Sequence, residues 1–494
     1  MLGGELLEAH EAEAPAAEVG LGVEVLERAR IGQQVVVGLT GGERRHRQLG
    51  HARGDQRLLH LGVGAEGLRP FLEEQVGAHV GRSGIPHSGL VLGAARLVEP
   101  GTDSVRTRNL ARILGQVHLE GPRSRAALTL ATGLNRSTIA DLVAELCTAG
   151  LVTETAPDPS RRVGRPSPIV AADPRIVAVA VNPEVDAVTI AAVALDQSIA
   201  ARLRIERTEL VTPGETAALV ADTVAAWQET ALAGRRIVGI GIAVPGLVRA
   251  RDGLVRTAPH LEWHDAPIRE LVADATGLPT AVDNDATLGA VAEHLYGAAR
   301  GLDHVVYLNG GASGIGGGLI VHGMPVRGVS GYAGEFGQNR PGIASTADQQ
   351  APEGVLEDEV SRSRLLRAVG LTSADDPTLA AVLSTSDDPS VAAETDRQRR
   401  ILATALANAV NVLNPRAIVL GGFLAMLTEG ATDQLTDLVR AQSMPANAED
   451  VDIRAAVLAD DRLLIGAAEA AFAGLLADPL SRLPERPGPL EEAR

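Results

Sequence analysis

Segments of strand and helix length alternate from Ile176 onward, and this alternation constrains the fold more than any other feature. Three strands in succession are followed by a helix and further buried strands, and a similar order then returns. The predicted strands are Ile176–Val181, Ala187–Ala194, Ala200–Arg207, Arg236–Val244, Ala281–Asn284, His304–Asn309, Gly314–His322 and Ala417–Leu420, and the predicted helices run from Gly214 to about Leu232 and from Asp285 to Tyr296. Two such arrangements predict an α/β protein of two similar lobes, residues 173–298 and 299–477, with a cleft between them.

A second pattern precedes the lobes, in residues 102–172. The predicted elements are a helix over Arg106–Leu119, a short helix that Ser124 caps and Gly133 ends, a third helix from near Asn135 to Gly150, and strands over Leu151–Thr155 and Ser167–Ala171. Three helices with a tight glycine turn between the last two, followed by two strands around a basic loop, predict a winged helix-turn-helix.

The charges of this segment favour DNA as its partner. The whole chain has a net charge of −17, which by itself argues against nucleic acid, but residues 102–166 hold nine Arg against six Asp and Glu. Arg reads guanine and Asn reads adenine in a major groove, and a basic wing fits a narrow minor groove. The candidate DNA-binding residues are Ser124, Arg125, Asn135, Arg136, Ser137, Thr138, Arg161, Arg162 and Arg165. The alternative is a three-helix connector with a solvated, arginine-rich loop.

The remaining composition excludes several other classes of protein. The 494 residues predict about three domains, and the single cysteine, Cys147, rules out an intramolecular disulfide or a multi-cysteine zinc site. No membrane-length apolar run or secretory signal is present, which predicts a cytoplasmic protein. Residues 1–101 show no sustained period, so we expect no folded domain there. They are also consistent with a start-site error, the true start lying near Val105.

Polar and glycine-rich segments at strand ends mark the candidate cleft. Asp283-Asn284-Asp285 joins a predicted strand to a helix, where two carboxylates and an amide can bind hydroxyls and a carboxylate can act as a general base. An ordinary helix cap is the competing explanation. Gly310–Gly318 and Gly421-Gly422 would let backbone N–H groups approach an anion, although glycine-rich hairpins are also common without a ligand.

Several of these segments together resemble the ROK family of repressors and sugar kinases, including its NagC/XylR-type transcriptional regulators. The matching segments are Ile237–Gly246, Val282–Ala286, Gly334–Gly337 and, in the wing, Gly164-Arg165-Pro166. They occur in matching order between residues 105 and 477, and residues 478–494 form a tail outside them. The resemblance implies a winged helix-turn-helix followed by a two-lobed, actin-like, hexokinase-type ATPase fold whose last helix can return to the first lobe. It further implies that the effector-binding residues are Asn284, Asp285, Glu335 and Glu357.

The departures from the family pattern concern ATP and zinc. Family kinases wrap ATP phosphates with an Asp-x-Gly-Gly-Thr turn, but the turn here contains Pro183, which lacks an N–H donor, and Glu184, which adds negative charge. Asp285 is then a vestigial base retained for sugar binding. Where the family has a zinc-binding His and three Cys, this chain has Gln338, Asp348, Gln350 and Val355. We therefore predict no zinc and no other cofactor, a loop over 338–352 that is held by packing or mobile, and a Gln338 that still donates to a sugar hydroxyl. His260 replaces an Asn usual in the family.

Three functions follow for comparison. The first is a sugar-responsive transcriptional regulator, expected to be a repressor, that binds operator DNA as a homodimer or dimer of dimers and has lost kinase activity. The second is an active, glucokinase-like, ATP-dependent sugar kinase with an added DNA-binding domain. The third is a constitutive DNA-binding protein whose body serves only to dimerise.

Overall fold

The computed structural model describes residues 104–156, 167–311, 314–343, 345–351 and 354–481. Predictions for the extension 1–101, for the wing residues Arg161, Arg162 and Arg165, and for the tail beyond residue 481 lie outside the described residues. Within the described ranges, no helix is both long enough and apolar enough to cross a membrane.

The N-terminal unit contains the three predicted helices and the strands that follow them. Its elements are α1 (Val105–Glu120), β1 (Arg123–Ser124), α2 (Arg125–Thr132), α3 (Arg136–Ala149), β2 (Val152–Thr155) and β3 (Ile169–Ala172). Ser124 caps α2 by accepting from the Ala127 N–H, and Gly133 ends α2 in the left-handed conformation, as predicted. Strands β1 and β2 both pair antiparallel with β3, which closes a small sheet beside the helices.

The first lobe is built on a five-stranded mixed sheet. Its strands are β4 (Ile176–Pro183), β5 (Ala187–Ala194), β6 (Ile199–Glu206), β7 (Arg236–Val244) and β11 (Thr280–Asn284), in the spatial order β11-β7-β4-β5-β6. Every residue of β4 and β5 is buried, which is expected for strands covered on both faces. Helices α4 (Pro213–Glu229) and α5 (Ile268–Thr276) cover one face, and the last helix, α14 (Arg462–Ala477), covers the other.

The second lobe repeats this sheet. Strands β12 (His304–Gly311), β13 (Gly314–Val321), β14 (Met324–Pro325), β15 (Ala417–Gly422) and β16 (Asp452–Ala455) lie in the order β14-β13-β12-β15-β16. Read in chain order within each lobe, both sheets have the order 3-2-1-4-5, with the same parallel and antiparallel pairings. The prediction of two similar α/β lobes is therefore confirmed.

The other elements carry weaker sequence signals, and the sequence analysis does not predict them. They are β8 (Leu247–Val248), β9 (Val255–Ala258), β10 (Trp263–Ala266), α7 (Leu356–Glu359), α8 (Arg362–Ala368), α9 (Asp376–Thr385), α10 (Pro389–Leu413), α11 (Phe423–Met426), α12 (Thr432–Gln442) and α13 (Pro445–Ala448). Strands β8 to β10 form a small antiparallel sheet on the first lobe, and α10 packs on the second sheet.

Two helices connect the lobes. Helix α6 (Asp285–Tyr296) follows β11 of the first sheet, but its residues Ala286 and Ala290 pack on the second sheet. Helix α14 ends the described chain and packs back on the first sheet, where a side chain at Gly241 would overlap the Ala467 carbonyl. The last helix therefore does return to the first lobe, as the resemblance implied.

Candidate functional site

Asn284 stands where β11 ends and α6 begins, and its side chain has local partners. Its Oδ1 accepts from the Thr287 N–H at 3.0 Å, which caps the helix, and its Nδ2 donates to the Gly246 carbonyl at 3.0 Å. The helix-cap interpretation is thus correct for Asn284. A ligand hydroxyl would have to share its amide rather than find it unoccupied.

Asp285, the first residue of α6, is a partly buried carboxylate with a perturbed pKa. Its Oδ1 accepts from the Ala286 N–H at 2.8 Å. Burial raises the pKa of Asp285 from 3.8 to about 6, against the opposing charge of Arg462 at the start of α14. A carboxyl with this pKa can be charged or neutral near neutral pH and can accept or donate to a hydroxyl accordingly.

Glu335, Gln338 and Glu357 gather beside Asp285. Glu357 in α7 accepts from the Ile315 N–H of β13 at 3.0 Å and from Gln338 Nε2 at 2.6 Å. Burial, and then the charges of Asp285 and Glu357, raise the pKa of Glu335, so Glu335 lies within electrostatic range of both carboxylates. The structure therefore brings together four side chains from three separate chain segments, as a site for a hydroxyl-rich ligand requires.

The glycine-rich hairpin contributes mainly by leaving space. Gly314 has φ of +130°, and a side chain there would overlap the Glu357 carboxylate. A Cβ on Gly316 would lie 2.7 Å from the Ala286 Cβ and 3.9 Å from Asp285 Oδ1. These glycines let α6 and α7 approach the hairpin, a steric role beside the anion approach that the sequence predicts.

A cleft of about 320 Å³ opens on Glu357 and reaches both lobes. Its walls include His260 from the first lobe, Gly311, Gly314 and Phe423 from the second, and the α8 residues Arg362, Arg364 and Arg367. His260, singled out in the sequence as a departure, therefore does face the cleft.

Several polar residues around the site escape sequence reasoning. Arg327 donates to the buried Asp283 carboxylate at 2.8 Å, which fixes the strand end just before Asn284. Arg462 Nη2 donates to Asn309 Oδ1 at 3.0 Å. Neither arginine lies near its partner in the chain, so no local motif marks it.

The turn that would face ATP phosphates is occupied by internal hydrogen bonds. Asn182 Nδ2 donates to Glu184 Oε1 at 3.0 Å, and Arg204 forms an ion pair with the same carboxylate. Burial raises the pKa of Glu184, although Arg204 opposes this. A carboxylate of the protein thus takes up the donors of this turn, which disfavours a phosphate there.

The residues at the family's zinc positions do not fit that metal. Gln338 binds Glu357, Asp348 pairs with Arg400 at 2.7 Å, and Gln350 and Val355 supply neither thiolate nor imidazole. Across the described ranges, no three His, Cys, Asp or Glu side chains are grouped to hold a metal ion.

A buried ion pair holds the loop that zinc would otherwise order. Glu359 accepts from the N–H groups of Gln350 (2.9 Å) and Ala351 (2.7 Å) and from Arg397 Nη1 (2.8 Å). Arg397 also donates to the Asp348 carbonyl at 2.7 Å. Hydrogen bonds therefore tie the described residues at positions 348, 350 and 351 of this loop to α7 and α10.

In the N-terminal unit, the candidate DNA-binding residues cluster at the starts of α2 and α3. Asn135 caps α3 by accepting from the Thr138 N–H at 2.8 Å and from Ser137 Oγ at 2.7 Å. Asn135, Arg136 and Ser137 are exposed, whereas Arg125 pairs with Glu154 at 2.6 Å. The start of α3 is thus a polar, accessible surface, and Arg125 would have to exchange its partner to contact a phosphate.

The two lobes with their repeated sheet define the structural class of the protein. The ROK family pattern matches residues 179–473, and the chain belongs to the ROK family. Its relatives include a glucokinase of Halalkalibacterium halodurans, 30% identical over 47% of this chain and 74% of that protein. A xylose repressor of Caldicellulosiruptor bescii is 26% identical over 49% of this chain and 64% of the repressor.

Solved structures show the same fold. A ROK family transcriptional regulator, described as a homologue of the E. coli MLC protein, aligns with a TM-score of 0.61 and 23% identity over 75% of this chain and 98% of its own. A ROK hexokinase from Thermus thermophilus aligns with a TM-score of 0.50 and 27% identity over 60% of this chain and 99% of its own. The actin-like ATPase fold expected from the resemblance is thereby confirmed.

The buried ion pair of Glu359 gives a stability prediction. Arg397→Met leaves a buried carboxylate without its partner, which costs about 3–5 kcal/mol, and we expect a large drop in Tm. Arg400→Met removes the exposed pair with Asp348 and should cost about 0–1 kcal/mol. Thermal unfolding of both variants checks this, and equal Tm values would contradict the assignment of the loop to Glu359 and Arg397.

The raised pKa of Asp285 gives a second prediction. Because the folded chain holds this carboxyl at a pKa above its unfolded value, its charge destabilises the fold at pH 8, and this cost disappears as the pH falls through about 6 toward 4. Asp285→Asn should raise Tm at pH 8 by about 2–4 °C, because a pKa rise from 3.8 to about 6 corresponds to at most about 3 kcal/mol. The gain should shrink below pH 6.

The neighbouring carboxylate supplies the control for this measurement. Asp283→Asn breaks the pair with Arg327 and should lower Tm at the same pH. A Tm of Asp285→Asn at or below that of the wild type at pH 8 would show that Asp285 is not strained in the folded protein.

Proposed function

We propose that this protein is a sugar-responsive transcriptional regulator, a repressor that binds operator DNA through residues 102–172 and a sugar or sugar derivative in the body formed by residues 173–298 and 299–477. The observation that carries the proposal is the joining of two parts. A three-helix unit with an exposed polar end on α3 precedes a body in which Glu335 lies within electrostatic range of both Asp285 and Glu357. A kinase needs only the second part.

The comparisons support the regulatory class. Xylose repressors are among the relatives, including one of Bacillus spizizenii that is 26% identical over 64% of this chain and 82% of the repressor. That share exceeds the 47% covered by the H. halodurans glucokinase.

The site suits a neutral, hydroxyl-rich effector. Sugar hydroxyls donate strongly to carboxylates, and Asp285, Glu335 and Glu357 supply three such acceptors, with the Gln338 amide as a further group. Asn284 completes the proposed set. Closing two lobes on a sugar shifts the protein only if one state binds the sugar better.

Such closure would act on DNA through a homodimer or a dimer of dimers. Paired recognition helices must lie about 34–36 Å apart to reach successive major grooves on one side of the duplex. A modest rotation of each N-terminal unit therefore changes the fit of both at once, and the sugar would loosen the repressor from its operator.

An active sugar kinase is the second candidate, favoured by Asp285 and by the glucokinase relatives. The turn at Pro183 argues against a kinase, because Glu184 there accepts a hydrogen bond from Asn182 and pairs with Arg204. Phosphoryl transfer depends on positioning phosphates and neutralising their charge, and this turn adds an anion instead.

The start of α3 generates the prediction for DNA. Arg136→Ala removes an exposed cation that is placed to reach a base edge, so affinity for a duplex from the chain's own upstream region should fall about 5- to 150-fold, the loss of about 1–3 kcal/mol. Fluorescence anisotropy at fixed salt measures the Kd. The matched control is Arg251→Ala, a well-exposed arginine on the body, which should leave Kd unchanged. Equal effects of both substitutions would contradict the proposed surface.

The carboxylates generate the prediction for the effector. D-xylose or D-glucose should raise the Tm of the wild-type chain. At a sugar concentration of 100 times Kd, the free energy of unfolding should increase by about 2.7 kcal/mol. Glu335→Gln keeps the size of the side chain and removes its negative charge, so the variant should fold normally and lose most of that rise.

Two outcomes of this measurement would favour the other functions. No response to any of a panel of hexoses, pentoses and amino sugars would favour the constitutive DNA-binding protein. Sugar-dependent ATP consumption that Asp285→Asn abolishes would establish the kinase.

A further inference from the structure

A buried polar cluster joins the N-terminal unit to the body, and we call His118, Tyr296 and Glu469 the junction cluster. His118 lies in the last turn of α1, Tyr296 ends α6, and Glu469 is in the middle of α14. His118 Nε2 lies 2.9 Å from Glu469 Oε1, and the Tyr296 hydroxyl donates to the same oxygen at 2.7 Å. The Tyr296 hydroxyl is also 3.1 Å from His118 Nε2, so each member contacts the other two.

The surroundings of His118 fix its ring in one position. Nδ1 lies 2.6 Å from the Leu195 carbonyl, and the ring meets Phe472 of α14 edge-on with centroids 5.6 Å apart. Burial lowers the pKa of His118, but Glu469, the Leu195 carbonyl and Asp196 together raise it above its ordinary value. Both ring nitrogens therefore lie within hydrogen-bond distance of an oxygen acceptor, the Leu195 carbonyl on one side and the Glu469 carboxylate on the other.

Both body helices of the junction cluster begin at the candidate sugar site. Helix α6 starts at Asp285, directly after the cap Asn284, and its 12 residues span about 18 Å before Tyr296. Helix α14 starts at Arg462, which donates to Asn309 and whose charge acts on Asp285. Asp285 thus lies at the start of α6 and within electrostatic range of the start of α14.

The two helices are packed as a single body. A side chain on Gly466 of α14 would overlap the Leu288 carbonyl of α6, so the backbones touch there. Buried Glu293 of α6 accepts from the N–H groups of Val457 and Leu458, just ahead of α14, at 3.0 and 2.9 Å. Interiors packed this closely shift between discrete arrangements rather than absorbing a displacement locally.

We propose that the junction cluster couples the sugar site to the N-terminal unit: events at Asn284 and Asp285 displace α6 and α14 together, and Tyr296 and Glu469 pass the displacement to α1 through His118. This coupling rests on the proposed function for its biological meaning, because it is the path by which an effector would alter DNA binding. The coupling is a free energy of interaction between Asp285, at one end of the α6 and α14 pair, and α1 at the other end. It can be measured without sugar or DNA.

The test perturbs one end and reads the other by hydrogen exchange on the full chain. Four proteins are compared: the wild type, Asp285→Asn, Tyr296→Phe and the double variant. Asp285→Asn should change amide exchange in residues 105–120 by about fivefold or more, the lower range of measured couplings. Tyr296→Phe keeps the ring and removes only the hydroxyl, and in its presence the same Asp285→Asn change should fall to less than half.

Two internal comparisons separate coupling from a general loss of stability. Exchange in β4 and β5, which are fully buried, should be equal in all four proteins once global stability is matched with denaturant. Asp274→Asn, an exposed carboxylate of α5, is the matched control for Asp285→Asn and should leave residues 105–120 unchanged. The coupling is overturned if Asp285→Asn leaves α1 unaltered, or if Tyr296→Phe does not reduce its effect.

A ligand arm distinguishes this inference from the proposed function. With D-xylose or D-glucose present, the wild type should lose DNA affinity, and Tyr296→Phe should bind the sugar equally well yet lose at least half of that response. If the exchange coupling is present but neither sugar nor DNA has an effect, the coupling through the junction cluster is supported and the proposed regulatory function is wrong. If Tyr296→Phe leaves the effect of sugar on DNA affinity unchanged, the proposed regulatory function is supported and the coupling through the junction cluster is wrong.

Discussion

The close approach of α14 to its neighbours is the contact on which the remaining architecture depends. At Gly241 this helix touches the first sheet, and at Gly466 it touches α6, which itself packs on the second sheet. Any side chain at either glycine would separate these layers. The two lobes, the start of α6 and the N-terminal unit therefore share one framework, because α14 contacts all three.

The site has the carboxylates expected of the ROK family at its sugar positions but different residues at the family's phosphate turn and zinc positions. Carboxylates lie near Asp285, where we propose the sugar site, whereas Glu184 pairs with Arg204 at the phosphate turn and Asp348 pairs with Arg400 at one of the zinc positions. Glu184 occupies donors in the first, and Glu359 with Arg397 ties the loop in the second. Both replacements use a carboxylate and an arginine, in a chain whose basic residues are all arginine.

Sequence reasoning succeeds where burial imposes a period and fails where distant side chains meet. The bounds of α6 and β7 were predictable because their apolar residues repeat regularly and because Asn284 caps the helix. The small sheet β8 to β10 has strands of two to four residues, too short to show a period. The partners of Asp283 and Glu359 lie tens of residues away, so no spacing could indicate them. The double role of Asn284, as cap and proposed ligand, required coordinates.

The ion pair between Glu359 and Arg397 also has a consequence for the adjacent pocket. A loop that is ordered by a bound metal loses its order when the metal is absent. Ligand binding in a pocket beside such a loop then depends on the metal concentration as well as on the ligand concentration. Here Gln338 is held by Glu357, and the backbone at Gln350 and Ala351 is held by Glu359, which pairs with Arg397. The sugar site that we propose in the adjacent pocket would therefore not require a metal ion to hold this part of the loop.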